Sequence, residues 1–380
     1  MQYSIPYIIL IIFYGVAAIF RDSLKDESIQ KKIDAVCIFV FVFFFGLRGY
    51  VFDDWIVYTE IFRKADFSNF PLFLETNNME PGFLVWVAFT KTIVDNYHFF
   101  VFLCSIVNTA LLIRFLNRYS INLPLGLMLY VCMGGLHMSM NLMRNSIAIL
   151  LFVNSIPFIQ RRQAVKYFSM CILAATFHVS AVLYMPLYFF LHRNCNKWLY
   201  LTLFLTANVI LLMHIPILQS IIDLVVGYIS PSMQMHIDSY MEKATNIGFK
   251  ISIGYLERFF SGMMVFFYMD KLKSIRQENV MMLNSILLYY MMFFLFSEFD
   301  EISLRLSYLF IFAYWVLWAD IIECFVYKNN RRLFIAFVYI YCLFKIIGNT
   351  NFITARYDNL LFGIQSYQER LYIHNRNNKD

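Results

Sequence analysis

The chain has 380 residues, 60% of them hydrophobic and only 15% charged, with a formal net charge of +6. No soluble fold of that length has an interior large enough to hide so much apolar surface, so composition excludes a soluble globular protein and leaves a polytopic integral membrane protein. The basic excess lies in short loops, as insertion topology demands, which argues against nucleic acid as a partner.

In chain order, the apolar runs at residues 3–20, 33–47, 82–94, 99–114, 123–136, 142–159, 167–177, 179–191, 198–213, 251–269, 280–296, 304–322 and 333–347 read as spans or near-spans. The fold class expected is all-α, a membrane bundle of about 12–14 transmembrane helices, since a bilayer leaves open backbone groups unsatisfied and the alternation of a barrel is missing. The first run has no basic residue ahead of it and no small-residue cleavage site behind it, so a retained helix is expected rather than a signal peptide. Residues 1–380 are taken as one integral membrane domain with long outward loops at 48–81 and 216–250 and a tail at 349–380.

Orientation follows from the basic clusters Arg21/Lys25/Lys31/Lys32, Arg114/Arg118, Arg161/Arg162/Lys166, Arg193/Lys197, Lys271/Lys273/Arg276 and Lys328/Arg331/Arg332, which the positive-inside rule places in the cytoplasm. The connections at 48–81, 134–141, 177–179, 216–250 and 297–303, and the tail, then face outward. Two crossings between Pro81 and Arg114 break this pattern. Either one element between Val51 and Arg114 is re-entrant or bent, or the first basic loop faces outward with Asp22, Asp26 and Glu27 offsetting its cations. The seven cysteines show no paired spacing and read as small apolar packing residues, with no metal site expected.

Two outward loops carry amphipathic signals. Trp55, Tyr58 and Phe62 share one face of a short helix lying on the membrane surface. Ile217, Leu218, Ile221, Ile222, Leu224 and Val225 suggest a second interfacial helix, and the polar run 234–246 after it suggests a lid.

Ionisable residues within or beside these runs are where function is sought, because a charge at the bilayer centre costs at least about 2.5–3.5 kcal/mol. Arg48 precedes Asp53 and Asp54, a cation for phosphate followed by a carboxylate able to take a proton; snorkelling and helix capping are the competing reading. His137, Asn141 and Arg144 fall within two helical turns behind Gly134 and Gly135, a pattern that fits a pocket floor. His178 sits at a tight corner, as a proton carrier or as a satisfied polar residue. Glu257 and Arg258 form the deepest charged pair, either catalytic or self-neutralising. Arg305 follows Glu298, Asp300 and Glu301, the rim of an anion or sugar site or a solvated turn.

The order Arg48, Asp54-x-x-x-Tyr58, Glu80-Pro81-Gly82-Phe83, Asn141-x-x-Arg144-x-x-Ile147-Ala148 and Phe177-His178-x-Ser180-Ala181 resembles the EpsG-type family of bacterial Wzy polysaccharide polymerases. The motifs cover the first half of the chain, the remainder following only in layout, and Asn145 stands where that family usually has glutamine. The resemblance implies a glycosyltransferase of the bacterial inner membrane with its site facing the exterior. It would join repeat units carried on undecaprenyl pyrophosphate, with donor and acceptor glycolipids, the bilayer and a chain-length regulator as partners and no cofactor. Arg48, Arg144, Arg258 and Arg305 would then meet pyrophosphate, with Tyr58, His137 and Asn141 completing the substrate contacts. Asp54, then His178, then Glu257 are the candidate bases, and direct attack by a sugar hydroxyl would invert the anomeric centre. A flippase would need internal repeats and interrupted helices in matching positions, and no convincing repeat is found. A membrane acyltransferase would need a histidine site, which His178 or His137 can supply.

Overall fold

The structure, a computed structural model, describes residues 1–225 and 252–377. Its α-helices, in chain order, are α1 (Ile5–Ser23), α2 (Glu27–Gly46), α3 (Trp55–Lys64), α4 (Phe70–Glu75), α5 (Pro81–Ile93), α6 (Tyr97–Tyr119), α7 (Leu123–Tyr130), α8 (Leu136–Met140) and α9 (Met143–Gln160). There follow α10 (Ala164–Phe177), α11 (Lys197–Leu212), α12 (Ile217–Val225), α13 (Ile253–Ile275), α14 (Asn279–Leu295), α15 (Asp300–Tyr308), α16 (Phe312–Glu323), α17 (Lys328–Thr350) and α18 (Tyr367–Asn377). Among the described residues only isolated bridges represent β-structure, so the chain is an all-α polytopic bundle. It divides into two compact units, Met1–Tyr188 with Phe325–Asp380, and Phe189–Cys324.

By length and composition four helices among the described residues can cross a membrane: Gln2–Ser23, Tyr97–Tyr119, Leu123–Met140 and Lys328–Thr350. A bent pair, Ile302–Tyr308 and Phe312–Glu323, makes up to five. The larger number expected from sequence took every apolar run as a span, and several of those runs form helices of 10–17 residues. One is α5, whose 13 residues rise only about 20 Å against a hydrocarbon core of about 30 Å. It is a short element between Val51 and Arg114, the stretch in which a re-entrant or bent element is one of the two ways to reconcile the charge pattern.

Helix starts follow ordinary capping chemistry. The Asp26 carboxylate accepts from Ser28 N at 2.8 Å to open α2, Asn96 Oδ1 accepts from His98 N at 2.8 Å to open α6, and Asn122 Oδ1 accepts from Leu125 N at 3.1 Å to open α7. The expected span at 123–136 falls within Leu123–Met140 and is kinked near its end: Gly134 takes φ 86° inside a π-turn at Val131–Gly135, and α8 follows. Only glycine adopts that backbone without strain, so the Gly134-Gly135 pair sets the break that presents His137 and Asn141. The expected span at 179–191 winds instead as a 3-10 helix, Val179–Phe189, around Pro186, which has no N–H to donate.

In the first unit α9 is the central helix, buried on nearly every side and packed against α10 and α6. Arg21 bridges α1 to Asp34 of α2 at 2.8 Å and 3.2 Å. α5 and α10 meet at Gly82, where a Cβ would lie 2.8 Å from the Thr176 carbonyl oxygen. Gly82→Val should therefore force α5 off α10 and destabilise the protein by about 1–3 kcal/mol, read as a lowered unfolding temperature in detergent. An unchanged transition would mean that this approach is not tight.

In the second unit α14 packs against α11, α13, α15 and α16. Arg276 is fastened to the buried Asp320 carboxylate, which also accepts from Asn279 Nδ2 at 2.9 Å. Glu298 accepts from Leu218 N at 2.9 Å and Gln219 N at 3.1 Å, opening α12, where a helix is expected. The lid expected at 234–246 lies outside the described residues. Six of the seven cysteines are buried and none is bridged.

Candidate active site

The site in the first unit is built where α3, α5, α8, α9 and α10 end or begin. Trp55, Tyr58 and Phe62 are buried on the inner face of α3. Asp54 is the residue ahead of that helix, and its backbone N–H donates to Asn141 Oδ1 at 3.5 Å, as does that of Asp53 at 3.3 Å. Asn141 thus fastens the acidic loop to the chain between α8 and α9, and its amide nitrogen lies 3.4 Å from His137 Nδ1.

Arg144 is the second residue of α9, at the end of the helix that carries partial positive charge. Its guanidinium is fastened to the carboxylate of Glu80, the residue ahead of α5, and both side chains keep some exposure. The second Glu80 oxygen accepts from Val179 N at 3.0 Å, tying the pair to the corner beside His178. Tyr58 lies within hydrogen-bonding reach of Arg144. Burial pushes its phenol up to about 12, with the Arg144 guanidinium opposing the shift and the Asp54 carboxylate adding to it. Tyr58 is therefore protonated at neutral pH and able to donate.

His178 closes α10, with Nδ1 2.7 Å from Ser180 Oγ and 3.3 Å from Ser180 N. An N–H directed at Nδ1 makes that atom the acceptor, so in the neutral ring the proton sits on Nε2. Asp54, Tyr58, His137, Asn141 and Arg144 thus gather in this unit, and His178 directly precedes Val179, whose N–H Glu80 holds. Glu80, present in the family motif but not among the candidate site residues, joins Arg144 to the start of the segment after α10. The signal for it was a carboxylate directly ahead of a proline that opens an apolar run.

Arg48 is placed differently. It is only 4% exposed and turns back on α2, donating to the Phe45 carbonyl oxygen at 2.5 Å. It lines a cavity of about 10 Å³, room for roughly one water molecule, with Ser105, Asn108 and Ser139 among its neighbours. Its backbone is gripped from the other end of the chain: Gly49 N donates to Asp358 O at 3.1 Å and Phe52 N to Thr354 O at 2.8 Å. Phe52 holds φ 66° there, a left-handed conformation that costs a bulky residue of order 1–3 kcal/mol and persists only when the surroundings enforce it.

Glu257, Arg258 and Arg305 belong to the second unit. Glu257 is buried and accepts from Ser261 Oγ at 3.2 Å. Arg258 donates to Tyr289 Oη at 2.9 Å and to the Gly254 carbonyl at 2.8 Å, and lies 3.7 Å over the Phe293 ring. Arg305 is exposed on α15.

A model of the EpsG family matches residues 32–368, nearly the whole chain. The chain belongs to the EpsG family. That membership carries a polysaccharide polymerase-like role in general terms, and the match extends through both compact units of this EpsG-family protein. Comparison with the curated proteins and with the solved structures gave no match.

Proposed function

We propose that this EpsG-family protein is a Wzy-type polymerase: it transfers a growing glycan from undecaprenyl pyrophosphate onto a new lipid-linked repeat unit at the outer face of the bacterial inner membrane. The observation that carries the reading is the joining of Arg144, Glu80, Tyr58 and Asp54 at the N-terminus of the central helix. A departing pyrophosphate needs fixed cationic donors, and a guanidinium reinforced by a helix N-terminus supplies them with bidentate geometry. Arg144 takes that role, with the Tyr58 hydroxyl as a further donor. Asp54 accepts the proton of the attacking sugar hydroxyl, His178 being the second candidate, and direct displacement inverts the anomeric centre. Asn141 and His137 hold the acidic loop in place. Arg48, from its buried position, supports that loop rather than reaching substrate first.

Surface glycans of a deletion strain test this reading. Loss of the polymerase leaves single repeat units at the surface; surface glycan missing altogether, or of normal length, contradicts it.

Glu80 holds the Arg144 guanidinium while no phosphate is present. Because both side chains are partly exposed, the pair contributes no more than about 1 kcal/mol to stability. Glu80→Gln should leave folding near normal and tighten pyrophosphate binding by up to about fivefold, measured by calorimetry on the purified protein. Weaker binding in that variant would make Glu80 an orienting partner instead of a placeholder.

A further inference from the structure

The C-terminal segment after α17 turns back over the C-terminal end of α2, which faces outward in the orientation of the proposed function, and its tip exposes three consecutive apolar residues. Leu360 is 36% exposed, Leu361 65% and Phe362 83%. In water such a tip is unfavourable, and a sequence with polar residues on both sides had no need to place it there. Its backbone is unusual as well. Leu360 N donates to the Leu47 carbonyl at 2.8 Å, Leu361 N to Asn359 Oδ1 at 3.1 Å and Phe362 N to the Asn359 carbonyl at 3.0 Å. The three amides that carry the apolar side chains are thus satisfied within the protein, the condition that hydrocarbon imposes and water does not. Gly363, at φ 104°, closes the turn with a bridge back to Asn359.

The apolar surface continues from the tip onto α2. The Phe362 ring centroid is 6.1 Å from that of Phe43, which is 6.2 Å from Phe39, itself 69% exposed on the outer face of the helix. The base of the tip is polar and fixed: Asp358 Oδ2 accepts from Gln365 N at 2.9 Å and pairs with Arg370 at 3.2 Å. Lys31, Lys32 and Asp34 lie in the first turns of α2, and the apolar residues 35–46 beyond them rise about 18 Å, a little over half of a hydrocarbon core of about 30 Å. The tip therefore lies in the half of that core away from Lys31 and Lys32.

We propose that Leu360, Leu361 and Phe362 insert among the acyl chains of the outer leaflet beside α2, as a membrane anchor for the segment that grips residues 47–52. The bilayer thereby helps fix the height of the Arg48–Asp54 loop relative to the lipid surface.

Phe362→Trp, reconstituted in vesicles, adds one indole to the five already in the chain, and the difference from the unsubstituted protein isolates its emission. That added emission should be blue-shifted, should be mostly lost in lipids brominated near the top of their acyl chains, and should resist aqueous iodide. Quenching by iodide with no effect of brominated lipid places the tip in water and overturns the proposal. Resistance to both quenchers means that protein covers the tip, a second copy included, and overturns it equally. Leu361→Trp gives the same readout should the first variant fold poorly.

Discussion

Arg144→Ala is expected to abolish glycan elongation, lowering the polymerisation rate by at least about 10²–10³, the scale of removing one preorganised donor from a developing charge. The loss comes from chemistry, not from folding. Arg144 and Glu80 keep partial exposure, so a stranded Glu80 carboxylate can rehydrate, and the protein should remain in the membrane at near-normal abundance. Arg144→Lys keeps the charge but not the planar fork and should fall between the two, because a bidentate contact becomes a single point contact. Glycan ladders resolved on gels, alongside immunoblots of membrane fractions, check both halves. Full-length ladders from the alanine variant would remove Arg144 from the phosphate.

Asp54→Asn is expected to cost about 10²–10⁴ in turnover, the usual contribution of a positioned general base, while lipid-linked substrate still binds. The substitution preserves shape, and the contact of Asp54 with Asn141 runs through the backbone, so the loop should stay in place. Single-turnover transfer and equilibrium binding of the glycolipid, measured on the same preparation, separate the two effects. Equal losses in both would show that Asp54 shapes the loop and does not take the proton.

Much of the architecture is readable in local sequence. Asp26, Asn96 and Asn122 announce helix starts because a short polar side chain ahead of an apolar run caps the first turn. Gly134-Gly135 marks the break before His137 because a left-handed residue is needed there. Long-range pairings are not encoded this way. Glu80 and Arg144 lie 64 positions apart, and nothing in either neighbourhood says that α5 and α9 start side by side. Arg48 looks like an outward-facing cation in sequence, since a residue at a helix exit can snorkel to the interface; only the packing of α2 against α6 turns it inward. The tail gave even less warning. Its grip on residues 47–52 is made largely by backbone groups, which leave no pattern in side-chain spacing.

The central claim is that this chain by itself joins lipid-linked repeat units, with Arg144 at the departing pyrophosphate. Its most direct test is polymerisation by the purified protein in vesicles supplied only with a defined undecaprenyl-pyrophosphate-linked repeat unit and a chelator. A ladder of products that grows with time, with pyrophosphate-capped lipid released at each step and both lost in Arg144→Ala, is the predicted result. Repeat units that stay monomeric with the intact protein, or a ladder that persists in the alanine variant, would contradict it.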